Sequence, residues 1–171
     1  MKSGPKYGGG LLREPRLVGD LLDFRKILEP PLAALAAKHA SAKEIGEMEE
    51  ILRRQEKKVL QREVAIEEDS QFHYAIARAS ENVVVLKVLD ALMDVLLEIR
   101  ERSLQVEGRP QKSVAGHWRI LAAIKRHDAA AAHNAMRRHI EDVEEIVKAR
   151  KPKRRSEGLI SSDFPTRSPS I

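Results

Sequence analysis

From residue 20 to residue 149 the apolar residues return every three or four positions, and no run of β-branched residues alternates with polar ones. That spacing places apolar side chains on one stripe of a helix, whereas a half-buried strand needs a period of two. Ala, Leu, Glu, Lys and Arg, all good helix formers, dominate the same stretch. The expectation is an all-α fold, an antiparallel bundle of six to seven helices.

Punctuation places the helices. The first spans about residues 20–39 and contains Pro30 and Pro31, which predict a kink. Ser41 and Glu44 form a capping box opening a second helix that runs to about Leu60. A third covers about residues 63–79, and Asn82 caps a fourth that ends near Leu104. Gly108-Arg109-Pro110 breaks the chain; a fifth helix follows to about Arg126, and Asp128 caps a sixth to about Ala149. The fourth is the most hydrophobic, with Val83, Leu86, Leu89, Leu92, Met93, Leu96 and Leu97, and is expected to lie at the centre, well buried.

The 171 residues suit one domain, flanked by a glycine-rich linker (residues 1–19) and a basic tail rich in Pro and Ser (150–171). Net charge is +3 in the first segment, −2 across residues 20–149 and +4 in the last, so the overall +5 resides in the ends. A basic end can hold phosphates without sequence preference, but more often it is simply solvated. With no cysteine, disulfides, thiol catalysis and thiolate metal sites are excluded. No run of about 18 apolar residues exists and the N-terminus has no apolar signal core, so a cytoplasmic protein is expected.

Four side chains stand out as candidates for chemistry. Asp69 and His73, four apart, project from one face of the third helix, while His117 and His139 sit on the fifth and sixth. Each histidine borders an apolar stripe. Three imidazoles and a carboxylate drawn from three helices make a suitable shell for a divalent transition metal. The competing reading is packed or capping histidines with no ion. His39, His127 and His133 serve as controls, read as helix-end or solvent-facing residues. There is no H-E-x-x-H, P-loop, dinucleotide fingerprint or G-x-S-x-G elbow. Glu67 and Glu68 are expected to be solvated, so no general base is evident besides Asp69 itself.

Several segments in order carry a family resemblance: Arg25-Lys-Ile-Leu-Glu29 with Leu35-Ala-Ala37, then Asp69-Ser-Gln-Phe-His73 with Ala79-Ser-Glu-Asn82. These are followed by His117-Trp-Arg-Ile-Leu-Ala-Ala-Ile124 with Asp128, and by Ala135-Met-Arg-Arg-His-Ile140. Together, over about residues 20–147, they resemble the C-terminal effector-binding (FCD) domain of FadR-type GntR transcription regulators. The resemblance implies a ligand-sensing bundle and no enzyme. It further implies that Asp69, His73, His117 and His139 hold a divalent ion, zinc or nickel foremost, with iron or manganese as options. A small carboxylate effector would fill the open positions. Arg25 is the first candidate to clamp it, against a structural ion pair with Glu29; Arg100 is a second, against a solvated helix end; Asn82 is a third, against a simple cap.

The family usually dimerises, so a homodimer is implied. It also places a winged helix-turn-helix domain of roughly 70 residues before the bundle, where only about 19 precede it here, so DNA would be reached only through a reading domain outside this chain. Two other readings stay open: an enzyme whose bundle metal activates water, and a metal-free helical interaction protein.

Overall fold

The computed structural model describes residues 15–149, which form six helices and no strand. The expected linker and basic tail lie outside these residues, save for residues 15–19. In chain order the helices are α1 (Pro15–His39), α2 (Ala42–Leu60), α3 (Ile66–Ala79), α4 (Val83–Leu104), α5 (Arg109–Lys125) and α6 (Ala129–Ala149). α1 is therefore already helical at Pro15, ahead of the expected start at residue 20. It runs on through Pro30 and Pro31.

The caps explain most of the boundaries. Ser41 and Glu44 make the reciprocal capping box on α2, Asn82 Oδ1 accepts from Val85 N–H at 3.2 Å, and Asp128 Oδ1 accepts from Ala131 N–H at 2.9 Å. α3 starts at Ile66 instead of near residue 63 because α2 ends in a Schellman turn. Arg62 adopts φ 61° there, and Glu63 N–H donates to Lys58 C=O at 2.8 Å. His127, at φ 54°, ends α5 the same way. Neither left-handed residue is a glycine, so the sequence carries no usual signal for the turn.

The core lies among α1, α2, α3, α5 and α6. Met48, Leu52, Phe72, Ile76, Ile120, Leu121, Ile124, Met136 and Ile140 are fully buried there. α3 is deeply buried, in contact with α1, α2 and α4, and most residues from Glu68 to Ser80 are buried. The expectation that α4 is central is wrong. α4 packs mainly on α3, through Leu89 and Leu96, and leaves Val83, Val84, Val88 and Leu97 exposed. Hydrophobicity marks a helix that wants covering, but does not say what covers it.

Candidate metal centre

Helical periodicity turns three polar rows toward one point in the core. On α3, Asp69 and His73 are one turn apart; on α5, Arg109, Ser113 and His117 follow at intervals of four; on α6, His139 precedes Ile140 and follows Met136 by three. His73, His117 and His139 are all buried, and one nitrogen from each lies within 4.8 Å of the other two. Gly116 makes room for His139: a Cβ at that position would sit 2.8 Å from His139 Nδ1.

The neighbours set the tautomers. Gln55, buried on α2, donates from Nε2 to Asp69 Oδ1 at 3.3 Å, which leaves its Oε1 facing His117 Nδ1 at 2.8 Å. An amide oxygen only accepts, so His117 carries its proton on Nδ1 and Nε2 is a bare lone pair. His73 Nδ1 lies 2.8 Å from Glu29 Oε2, an ion-pair contact rather than an aligned hydrogen bond, while Arg25 Nη2 sits 3.4 Å from His73 Nε2; a carboxylate behind Nδ1 and a donor beside Nε2 both favour the proton on Nδ1. The two Nε2 atoms then point at each other 3.2 Å apart. Two acceptors at that distance repel unless a cation lies between them. Nitrogens bound to one tetrahedral zinc at 2.0–2.1 Å would be about 3.3 Å apart. His139 Nε2 is also buried without a hydrogen-bond partner among the described residues. The donor set thus fits a divalent transition metal, and Gln55 and Glu29 orient its imidazoles from behind.

Asp69 sits beside this trio. Its Oδ1 is 3.6 Å from His117 Nε2 and its Oδ2 4.0 Å from His73 Nε2. Ser113 Oγ donates to Oδ1 at 2.7 Å, and Arg100 Nε is 3.1 Å from Oδ2. Burial works to raise the carboxyl's pKa, but His117, His73, Arg100 and Arg109 outweigh it and hold the group far below the ordinary carboxylate range. Burial lowers His73, and drives His117 and His139 well below the usual imidazole value, so all three are neutral and free to ligate near pH 7.

The expected effector residues divide. Arg25 is buried and paired with Glu29 through Nε (2.6 Å) and Nη2 (3.2 Å), while Nη2 also lies 3.4 Å from His73 Nε2. It is thus both a structural ion pair and a wall of the site. Arg100 is buried against Asp69, not solvated at a helix end. Asn82 is exposed and caps α4, away from the cluster. Glu67 is exposed as expected, but Glu68 is buried and pairs with Lys58 at 2.7 Å. Of the control histidines, His39 and His127 are exposed at helix ends and His133 is half-buried.

Glu29, Gln55, Ser113 and Arg109 were not singled out from sequence as site residues. Gln55 had left a signal, as the one polar residue in the stripe Met48, Leu52, Gln55, Val59. Arg100, a candidate from the resemblance, continues the buried row Leu89, Leu96. Among the described residues, three buried guanidiniums (Arg25, Arg100, Arg109) and three buried carboxylates (Glu29, Glu68, Asp69) lie in this region, Glu68 being paired with Lys58. A cavity of about 10 Å³ lies against His73 and Arg100. Among the described residues no helix is long and apolar enough to cross a membrane.

Comparison with known proteins agrees with this architecture. Residues 20–142 match the FCD domain. The chain is 30% identical over 130 residues to the Uxu operon regulator of Haemophilus influenzae, covering 72% of this chain and 48% of that protein. It is 25% identical over 123 residues to the galactonate operon transcriptional repressor of Escherichia coli, covering 71% and 54%. Among solved structures, Streptococcus agalactiae GntR superposes with a TM-score of 0.61 at 29% identity, covering 76% of this chain and 59% of that one. The chain spans about half the length of the curated relatives it matches.

Proposed function

Because the chain belongs to the FCD domain family of GntR-type transcription regulators, we propose that it senses a small carboxylate metabolite through a divalent metal held in the bundle core. His73, His117, His139 and Asp69 would hold the ion, with zinc or nickel best suited to three imidazoles and one carboxylate. When bound, the ion supplies a Lewis-acidic anchor for a carboxylate oxygen. The observation that carries the reading is the pair of unprotonated Nε2 atoms 3.2 Å apart, that of His73 also 3.4 Å from Arg25 Nη2, beside a buried His139 Nε2 with no hydrogen-bond partner among the described residues.

This chain's own groups do the rest. Arg100 and Arg25 border the ligand atoms and supply donors and positive charge for the acid's other oxygen. Gln55 and Glu29 keep the imidazole protons on Nδ1. The carboxylates nearby are already engaged: Glu29 by Arg25, Glu68 by Lys58, and Asp69 by Ser113 and Gln55. Among the described residues none of these is left unpaired to act as a general base, which favours a sensor over a hydrolytic enzyme. The galactonate repressor among the relatives makes hydroxylated acids the first effectors to try.

Regulation of DNA binding would pass through a reading domain, with effector binding shifting a dimer between two arrangements. The exposed valines of α4 offer apolar surface for a second copy. The whole reading is tested by titrating D-galactonate into metal-loaded and metal-stripped protein. Binding only to the loaded form is expected; equal binding to both would overturn the metal-anchored mechanism.

A further inference from the structure

The cavity against His73 has room for about one water-sized sphere, so any acid longer than acetate must extend beyond it. Its walls differ in character. Leu32, Ile76 and Met136 close it with apolar core. On the opposite side a groove of about 1130 Å³ runs between α2, α3 and α4, open to solvent. Ser70 and Tyr74, one turn apart on α3, line both spaces and so form the partition between them. α4 borders both as well, with Leu96 and Arg100 on the cavity and Asp90 and Leu97 on the groove.

Ser70 is 6% exposed, yet its Oγ has no hydrogen-bond partner among the described residues. A helical serine ordinarily escapes that cost by donating to the carbonyl one turn back. Ser70 does not, which leaves a buried donor and acceptor in the partition between the cavity and the groove. We propose that Ser70 determines effector specificity. The acid's carboxylate lies at the histidine cluster and Arg100, its chain runs along the Ser70–Tyr74 partition toward the groove, and Ser70 Oγ hydrogen-bonds a hydroxyl of that chain. Short acids reach only the ion and the arginines; hydroxylated acids gain the serine.

This rests on the carboxylate-sensing reading, and the experiment separates the two. Acetate and D-gluconate are titrated calorimetrically into the zinc-loaded full chain, its S70A variant and its S70T variant. Alanine is the better helix former, so S70A keeps the fold. One neutral hydrogen bond corresponds to a loss of about three- to tenfold in affinity. S70A is expected to weaken gluconate by that factor and to leave acetate and zinc content unchanged, while S70T, which keeps the hydroxyl, holds gluconate within about twofold of wild type. Wild-type gluconate affinity in S70A, equal weakening of both acids, or a wild type that takes acetate but no gluconate would each overturn the role of Ser70. A wild type that binds neither acid would overturn the sensing reading and this proposal with it.

Discussion

The two sides of the proposed ligand site are built differently. On the side of α1, α2, α3, α5 and α6, each imidazole has something behind it: His117 a hydrogen-bond contact with Gln55, His73 an ion-pair contact with Glu29, and His139 the space left by Gly116. On the other side α4 contributes Arg100 from a helix that rests on α3 through apolar side chains and turns three valines to solvent. Hydrogen bonds fix direction, whereas apolar contact is non-directional. An ion needs ligands set to within a fraction of an ångström; an effector that shifts a protein needs a wall able to answer it. The division of labour follows from the type of contact each side uses.

Substitutions on the two sides should therefore separate metal binding from the rest. The largest effect belongs to the ligands themselves: His117→Ala or His139→Ala is expected to lower metal affinity by more than about a hundredfold, beyond what outer residues contribute, while circular dichroism still reports a folded bundle. Metal content equal to wild type would remove the site.

Gly116→Ala comes next, since its Cβ would lie 2.8 Å from His139 Nδ1. Displacing that ring should cost about 1–3 kcal/mol of stability, with a parallel loss of metal, read by thermal unfolding and elemental analysis. Gln55→Leu should reduce metal affinity by about ten- to a hundredfold, because His117 loses the acceptor that fixes its proton. An unchanged affinity would mean that the Gln55 contact is packing alone.

pH sharpens the same contrast. Burial holds His117 and His139 well below their unfolded value, so between the folded and unfolded pKa the unfolded chain binds more protons. The metal-free protein should then be fully stabilised above about pH 6.5 and lose stability as pH falls below it. A Tm flat from pH 7 to pH 5 would contradict neutral, buried imidazoles. The smallest effect belongs to α4: Val84→Lys, at a position 71% exposed, should change monomer stability by less than about 0.5 kcal/mol and leave metal content intact. If α4 meets a second copy, the same change should lower the oligomer's mass by light scattering.

Local signals made the helices legible. Ser41 with Glu44, Asn82 and Asp128 each announce a helix start, and each side chain makes its cap bond. The position of α4 was not legible, because Leu89 and Leu96 look alike whether one helix or four surround them. The end of α2 was hidden because Arg62 occupies a conformation usually marked by glycine.

For the site, the three histidines at stripe borders could be picked out one by one, but their convergence depends on pairings 44 and 62 residues apart in sequence, such as His73 with His117 and Gln55 with His117. Glu29 illustrates the limit. Its spacing from Arg25 predicts an ion pair, which forms, while its second task behind His73 depends on how α1 packs against α3. Arg100 misleads in the opposite sense: the polar residues after it suggest a solvated end, and only its register with Leu89 and Leu96 points inward.

The account stands or falls on whether those imidazoles hold an ion. Elemental analysis of the wild-type protein, purified without chelators, saturated with zinc or nickel and then dialysed, measures this directly. About one ion per chain is the predicted result. A chain that retains none after saturation would contradict the account, and the three buried histidines would then be a packed cluster with no metal to bind.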